Sequence, residues 1–136
     1  MENILSSFYA DGTKLDAVLC SNDSTALGAT NALTASYKGE WPIITGQDCD
    51  IANVKNIIAG KQAMSAFKDT RTLASQVLKM INSVMKGEKP EINDEKTYDN
   101  GKKVVPTYIC ELSAADKDNY KELLIDSGYY KEEQLK

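Results

Sequence analysis

Apolar and polar positions along this chain fall into blocks whose period changes. Short apolar runs over residues 15–20, 43–45 and 63–67 read as strands, and each stops abruptly at polar side chains. Between them, Ala26, Leu27, Ala29, Ala32, Leu33 and Tyr37 recur at helical spacing and predict a helix over 25–37. Ile51, Val54, Ile57 and Ile58 predict a second helix over 51–59, with Gly60 as its stop. Strand, helix, strand, helix, strand is the order of an α/β fold, a Rossmann-like parallel sheet with flanking helices and right-handed crossovers. The first run, 15–20, has the composition of a buried strand.

The most periodic segment comes next. Leu73, Ala74, Val77, Leu78, Met80, Ile81, Val84 and Met85 form one stripe of a long amphipathic helix that Gly87 and Pro90 end. Beyond it, Asp99-Asn100-Gly101 signals a turn, and residues 103–110 read as an extended stretch whose Pro106 suits an edge strand or a hinge-like crossing. Tyr120, Leu123, Leu124 and Ile125 predict a last helix over about 115–127. At the other end, Ile4, Leu5, Phe8 and Tyr9 share a helical face within residues 1–9, before the turn Asp11-Gly12. No capping residue precedes that helix, so the chain is expected to be a fragment that starts in mid-helix.

Composition removes several classes of function. The 136 residues are 42% hydrophobic and 26% charged, ordinary for one globular unit. A net charge of -4 without a basic run argues against a nucleic-acid partner, which would need cations to displace counterions from phosphate. No apolar stretch approaches the roughly 20 residues that span a bilayer. The three cysteines, Cys20, Cys49 and Cys110, form no C-x-x-C pair and histidine is absent, which excludes the usual zinc sites and any Ser-His-Asp or Cys-His catalytic set built from this chain. Gly46-Gln47-Asp48 is not a phosphate loop, so no nucleotide cofactor is implied. The reading is a binding protein, not an enzyme, with neither cofactor nor metal.

The chemistry sits where the strands end. Ligands of parallel α/β sheets collect outside the carboxyl ends of the strands, and three polar exits stand there: Asn22-Asp23, Gln47-Asp48 and Lys68-Asp69-Thr70. Asn22 or Asp23 could cap the helix that follows, and Asp48, Asp69 or Thr70 could do the same for theirs. One residue of a pair can cap while its neighbour faces a ligand. An amide, a carboxylate and an ammonium on one rim are the groups that read vicinal hydroxyls, because the carboxylate accepts two hydroxyl protons while the other two donate. Trp41, before the second strand, lies at the opposite end of the sheet and is assigned to packing.

In order, Ser21-Asn22-Asp23, Thr45-Gly46-Gln47-Asp48, Phe67-Lys68-Asp69-Thr70, Thr97-Tyr98-Asp99-Asn100-Gly101 and Val104-Val105-Pro106 closely resemble the sugar-binding proteins of bacterial ABC transporters, in their xylose and multiple-monosaccharide branch. The resemblance covers nearly the whole chain. It implies a partial periplasmic binding protein type I fold, in which two Rossmann-like lobes are joined by hinge strands and a monosaccharide binds between them. By position, the family's sugar contacts fall on Asn22, Asp48 and Lys68, with Asp48 accepting from two hydroxyls; Cys49 stands where the family often has alanine. The resemblance assigns residues 1–69 to the C-terminal lobe, 70–103 to a segment of the N-terminal lobe, and 104–136 to a hinge crossing and C-terminal helix. The implied partners are a monosaccharide of the xylose, glucose, galactose or arabinose class and a membrane permease. The implied location is extracytoplasmic, in the periplasm or lipid-anchored at the outer cell surface, for the full-length protein. The family receptor is about twice this length or more, so the chain alone is expected to bind sugar weakly or not at all, and its uncovered surface could let it form a homodimer. The alternative is the effector domain of a sugar-responsive transcription regulator, which shares the fold.

Overall fold

The computed structural model describes residues 3–5, 7 and 12–136. The chain divides into two compact units, residues 1–67 with 113–136, and residues 68–112. The first holds a four-stranded sheet in the order β1 (Ala17–Leu19), β2 (Ile43–Gln47), β3 (Met64–Phe67), β4 (Ser113–Asp116). The first three strands are parallel, with Val18 opposite Ile44 and Gly46 opposite Ser65, while β4 runs antiparallel to β3. Helices α1 (Asp23–Ser36) and α2 (Ile51–Ile58) fill the β1–β2 and β2–β3 connections.

Small residues let α1 lie close to the sheet. Ala26, Ala29, Ala32 and Leu33 pack with Leu5 and Ile44, and Tyr37 closes the end of the helix, its hydroxyl accepting from the Leu15 amide. A second cluster joins Cys49, Val54, Phe67, Ala115 and Leu124, with Tyr129 and Tyr130 packed against it. Tyr129 meets Phe67 edge-on at 4.8 Å, the arrangement that aromatic quadrupoles favour.

Two expectations are corrected here. Residues 17–19 form β1, at the edge of the described sheet, with Leu19 83% exposed: Ala17, Leu19 and the paired Ile43 lie on a face that no described residue covers, so this is not the buried strand its composition suggests. Residues 115–127 are not one helix: Ala115 lies in β4, and the helical turns that follow are a π-type segment, Lys121–Asp126. Asp116 starts the break by accepting from the Asp118 and Asn119 amides, a side-chain competitor to a continuing helix. Of the predicted helix at the N-terminus, residues 3–5 and 7 are helical, while Phe8 and Tyr9 lie outside the described residues.

The second unit carries α3 (Thr70–Met85), which covers the predicted amphipathic segment. Asp69 caps it by accepting from the Arg71 amide, and the Arg71 guanidinium closes on the same carboxylate at 2.7 Å. The extended stretch over 103–110, read as an edge strand or a hinge-like crossing, forms no ladder and pairs only through isolated bridges, Asp99 with Val104 and Asp94 with Thr107. Pro106, between those bridges, has no amide proton to offer a ladder. Asn93 replaces part of that ladder, its side chain donating to the Ile109 carbonyl and accepting from the Ile109 amide.

Candidate functional site

The carboxyl edge of the parallel strands is built around one buried carboxylate. Asp23 is fully buried as the first residue of α1, and it is not the cap; that role belongs to Asn22, whose Oδ1 accepts from the Thr25 amide at 3.0 Å and from the Thr25 hydroxyl at 2.7 Å. Asp23 faces the other way. Its Oδ1 accepts from Gln62 Nε2 at 3.0 Å and Ser65 Oγ at 2.9 Å, and its Oδ2 from the Asp50 amide at 2.8 Å. Asn53 completes the cluster by donating to the Asp23 carbonyl and to Gln62 Oε1. Burial raises the Asp23 carboxyl above its ordinary value, and the hydrogen bonds from Gln62, Ser65 and the Asp50 amide offset part of that rise.

Gly46 makes room for this hub. A Cβ there would fall on Asp23 Oδ1 and come within 2.7 Å of Gln62 Nε2, so only glycine fits the middle of β2. The strand then delivers Gln47, which reaches the Ser21 carbonyl at 3.5 Å, and Asp48. That contact places the β1 and β2 exits side by side. Asp48 and Cys49 both adopt left-handed backbone, at φ 104° and 56°, a conformation that residues with a Cβ rarely take. Asp48 does not cap α2; the cap position is Asp50, whose side chain makes no capping bond.

The structure thus brings Asn22 and Asp48 to one edge. The Asn22 oxygen serves the helix, which leaves its Nδ2 protons as the group that can donate to a ligand. Lys68 follows β3 directly and opens the second unit. Cys49 is buried and its thiol is pushed up to about 11 by that burial, so it is packing and not a nucleophile. Trp41 lies at the other end of β2, where its indole donates to the Lys61 carbonyl at 2.9 Å. The hub residues Gln62, Ser65 and Asn53 escaped the sequence reading. Ser65 and Asn53, each interrupting an apolar stretch, were the available signal, whereas Gln62 follows Gly60-Lys61 in a polar turn that gave none.

A carboxylate and an amide stand at the carboxyl edge of the parallel strands, where ligands of α/β sheets collect. Residues 1–89 match the periplasmic binding protein domain, and the chain belongs to that family. It is 47% identical to the multiple sugar-binding periplasmic receptor ChvE of Rhizobium radiobacter, over all of this chain and 39% of the receptor. It is 38% identical to the D-xylose-binding periplasmic protein of Haemophilus influenzae, over 99% of this chain and 39% of that protein. Among solved structures, an ABC transporter solute binding protein from Clostridium phytofermentans with bound β-D-glucose shares 73% identity at a TM-score of 0.90, over 99% of this chain and 42% of its own. The chain therefore spans about two fifths of the length of the relatives it matches, and its fold is the corresponding part of the type I periplasmic binding fold.

Proposed function

We propose that this chain is part of the substrate-binding component of an ABC transporter for monosaccharide uptake, and that it supplies one wall of the sugar site through Asn22, Asp48 and Lys68. The observation that carries this is Asp48, held in left-handed backbone at the sheet's carboxyl edge beside Asn22. A carboxylate there can accept from two adjacent sugar hydroxyls while the Asn22 amide and the Lys68 ammonium donate. Such charge-assisted bonds are the strong ones, and a sugar lacking a matching hydroxyl would leave a buried group unpaired at a cost of roughly 1–3 kcal/mol. Glucose leads the candidates, since the 73%-identical protein holds it; the xylose-binding relative keeps a pentose in the class. The names of those relatives favour a transport receptor outside the cytoplasm, partnered by a permease, over the effector domain of a regulator, and favour binding over catalysis.

Nuclear magnetic resonance titration of the labelled chain with glucose, xylose, galactose and arabinose tests this at the high millimolar concentrations that a one-walled site needs. Expected are shifts concentrated at Asn22, Asp48 and Lys68, lost in Asp48→Ala. Unchanged binding in that variant would reject the site.

A further inference from the structure

A residue other than glycine in left-handed backbone costs roughly 1–3 kcal/mol, and persists only where its surroundings over-determine it. Around Asp48 and Cys49 they do. Three successive amides are pinned: Asp48 donates to the Ala66 carbonyl at 2.9 Å, Cys49 to Ser65 Oγ at 3.0 Å, and Asp50 to Asp23 Oδ2 at 2.8 Å. Ser65 links two of these anchors, because the hydroxyl that accepts from Cys49 donates its own proton to Asp23 Oδ1. On the far side, Tyr130 donates its hydroxyl proton to the Cys49 carbonyl at 2.9 Å. The loop is thus anchored at three successive amides and at the Cys49 carbonyl.

We propose that Asp23 is the positioning residue of the sugar site: its buried carboxylate, bridged through Ser65 and seconded by Tyr130, fixes Asp48 and Cys49 in the left-handed conformation that presents Asp48 at the sheet's edge. Asp23 has no exposed surface and cannot touch the sugar; it acts through the loop. The chemistry requires a carboxylate. Three donors converge on its two oxygens, and an asparagine there would turn an amide donor toward one of them. The sugar-binding consequence rests on the reading of Asp48 as a ligand, whereas the conformational one does not.

Both are measured on the labelled full chain with Asp23→Asn, Ser65→Ala and Tyr130→Phe, the last two guarding against a variant that fails to fold. The direct readout is the pair of Cα and Cβ chemical shifts of Asp48 and Cys49, which report left-handed backbone without any sugar. Expected is loss of that signature in Asp23→Asn and Ser65→Ala and a partial loss in Tyr130→Phe, with the remaining sheet resonances in place. A left-handed signature retained in folded Asp23→Asn or Ser65→Ala overturns the assignment. Glucose affinity is then expected to fall about tenfold in Ser65→Ala, equivalent to about 1.4 kcal/mol. If the backbone signature is lost while glucose binding is unchanged, the positioning role stands and the ligand role of Asp48 falls.

Discussion

The two units of this chain bury their polar and apolar groups in opposite senses. In the first, a charged residue, Asp23, is fully enclosed and every oxygen of its carboxylate is matched by donors, while Leu33 and Ile44 are fully buried in an apolar cluster. In the second, α3 buries the polar Gln76 and exposes its apolar stripe, with Leu78 at 66% and Met85 at 82%. A helix with so regular a stripe is built to be covered. The first unit is organised by what it encloses, the second by what it leaves open. A substitution of the same chemical kind should therefore have very different consequences in the two.

The largest effect is expected from Gly46→Ala. The added methyl meets Asp23 Oδ1 and Gln62, so either the strand shifts or the hub opens and leaves buried donors unpaired. A loss of about 3 kcal/mol is expected, read as a lower urea midpoint by the fluorescence of Trp41, the sole tryptophan. A midpoint within error of the wild type would show that the hub tolerates displacement. Next comes a matched pair. Leu33→Ala empties a fully buried site and should cost about 2–5 kcal/mol, whereas Leu78→Ala on the open stripe should change stability by less than about 0.5 kcal/mol. Equal losses would mean that Leu78 is covered in solution, and sedimentation would then show the homodimer.

Much of this contrast was legible in the residues. The alternation of apolar runs and helical stripes marked the parallel strands and their helices, because burial on one side of an element writes its period into the sequence. The stripe of α3 was equally plain. Polar residues at strand exits marked Asn22 and Asp48. What stayed hidden was tertiary: that Asn22, not Asp23, is the cap; that Ser113–Asp116, with no β-branched residue, is recruited as a strand by pairing with β3; and that Gln62, Ser65 and Asn53 meet around Asp23 from separate segments. No local period encodes such a meeting.

Acid titration separates the units by sign. Burial raises Asp23, so the folded chain holds that proton more tightly than the unfolded chain. Its contribution is complete below the ordinary carboxylate value of 3.8 and is lost as pH rises through the raised native value. Asp69 is the reverse, held low chiefly by the Arg71 side chain, so its contribution is present above 3.8 and is lost as pH falls through the lowered native value. Trp41-monitored midpoints in Asp23→Asn should lose the acid-side gain. Hydrogen-exchange protection factors in the first turn of α3 should fall in acid, and Asp69→Ala should reproduce that fall at neutral pH at a cost of about 1 kcal/mol, the usual worth of a cap. The same pH trend in both units would contradict the enclosed-versus-open contrast.

The smallest expected effect on stability is the most informative about the site. Asn22 has two separable functions, an oxygen that accepts from Thr25 and an amide nitrogen that can donate outward. Asn22→Asp keeps the capping oxygen and adds a negative charge at a helix N-terminus, where it is favourable, so stability should change by no more than a few tenths of a kcal/mol. It also exchanges the donor for an acceptor beside Asp48, and the sugar would then meet two carboxylates with no amide between them. Weak glucose-induced shifts should disappear while the urea midpoint holds, whereas Asn22→Ala should lower both. If Asn22→Asp keeps the glucose response, Asn22 is a cap and nothing more, and the sugar wall reduces to Asp48 and Lys68.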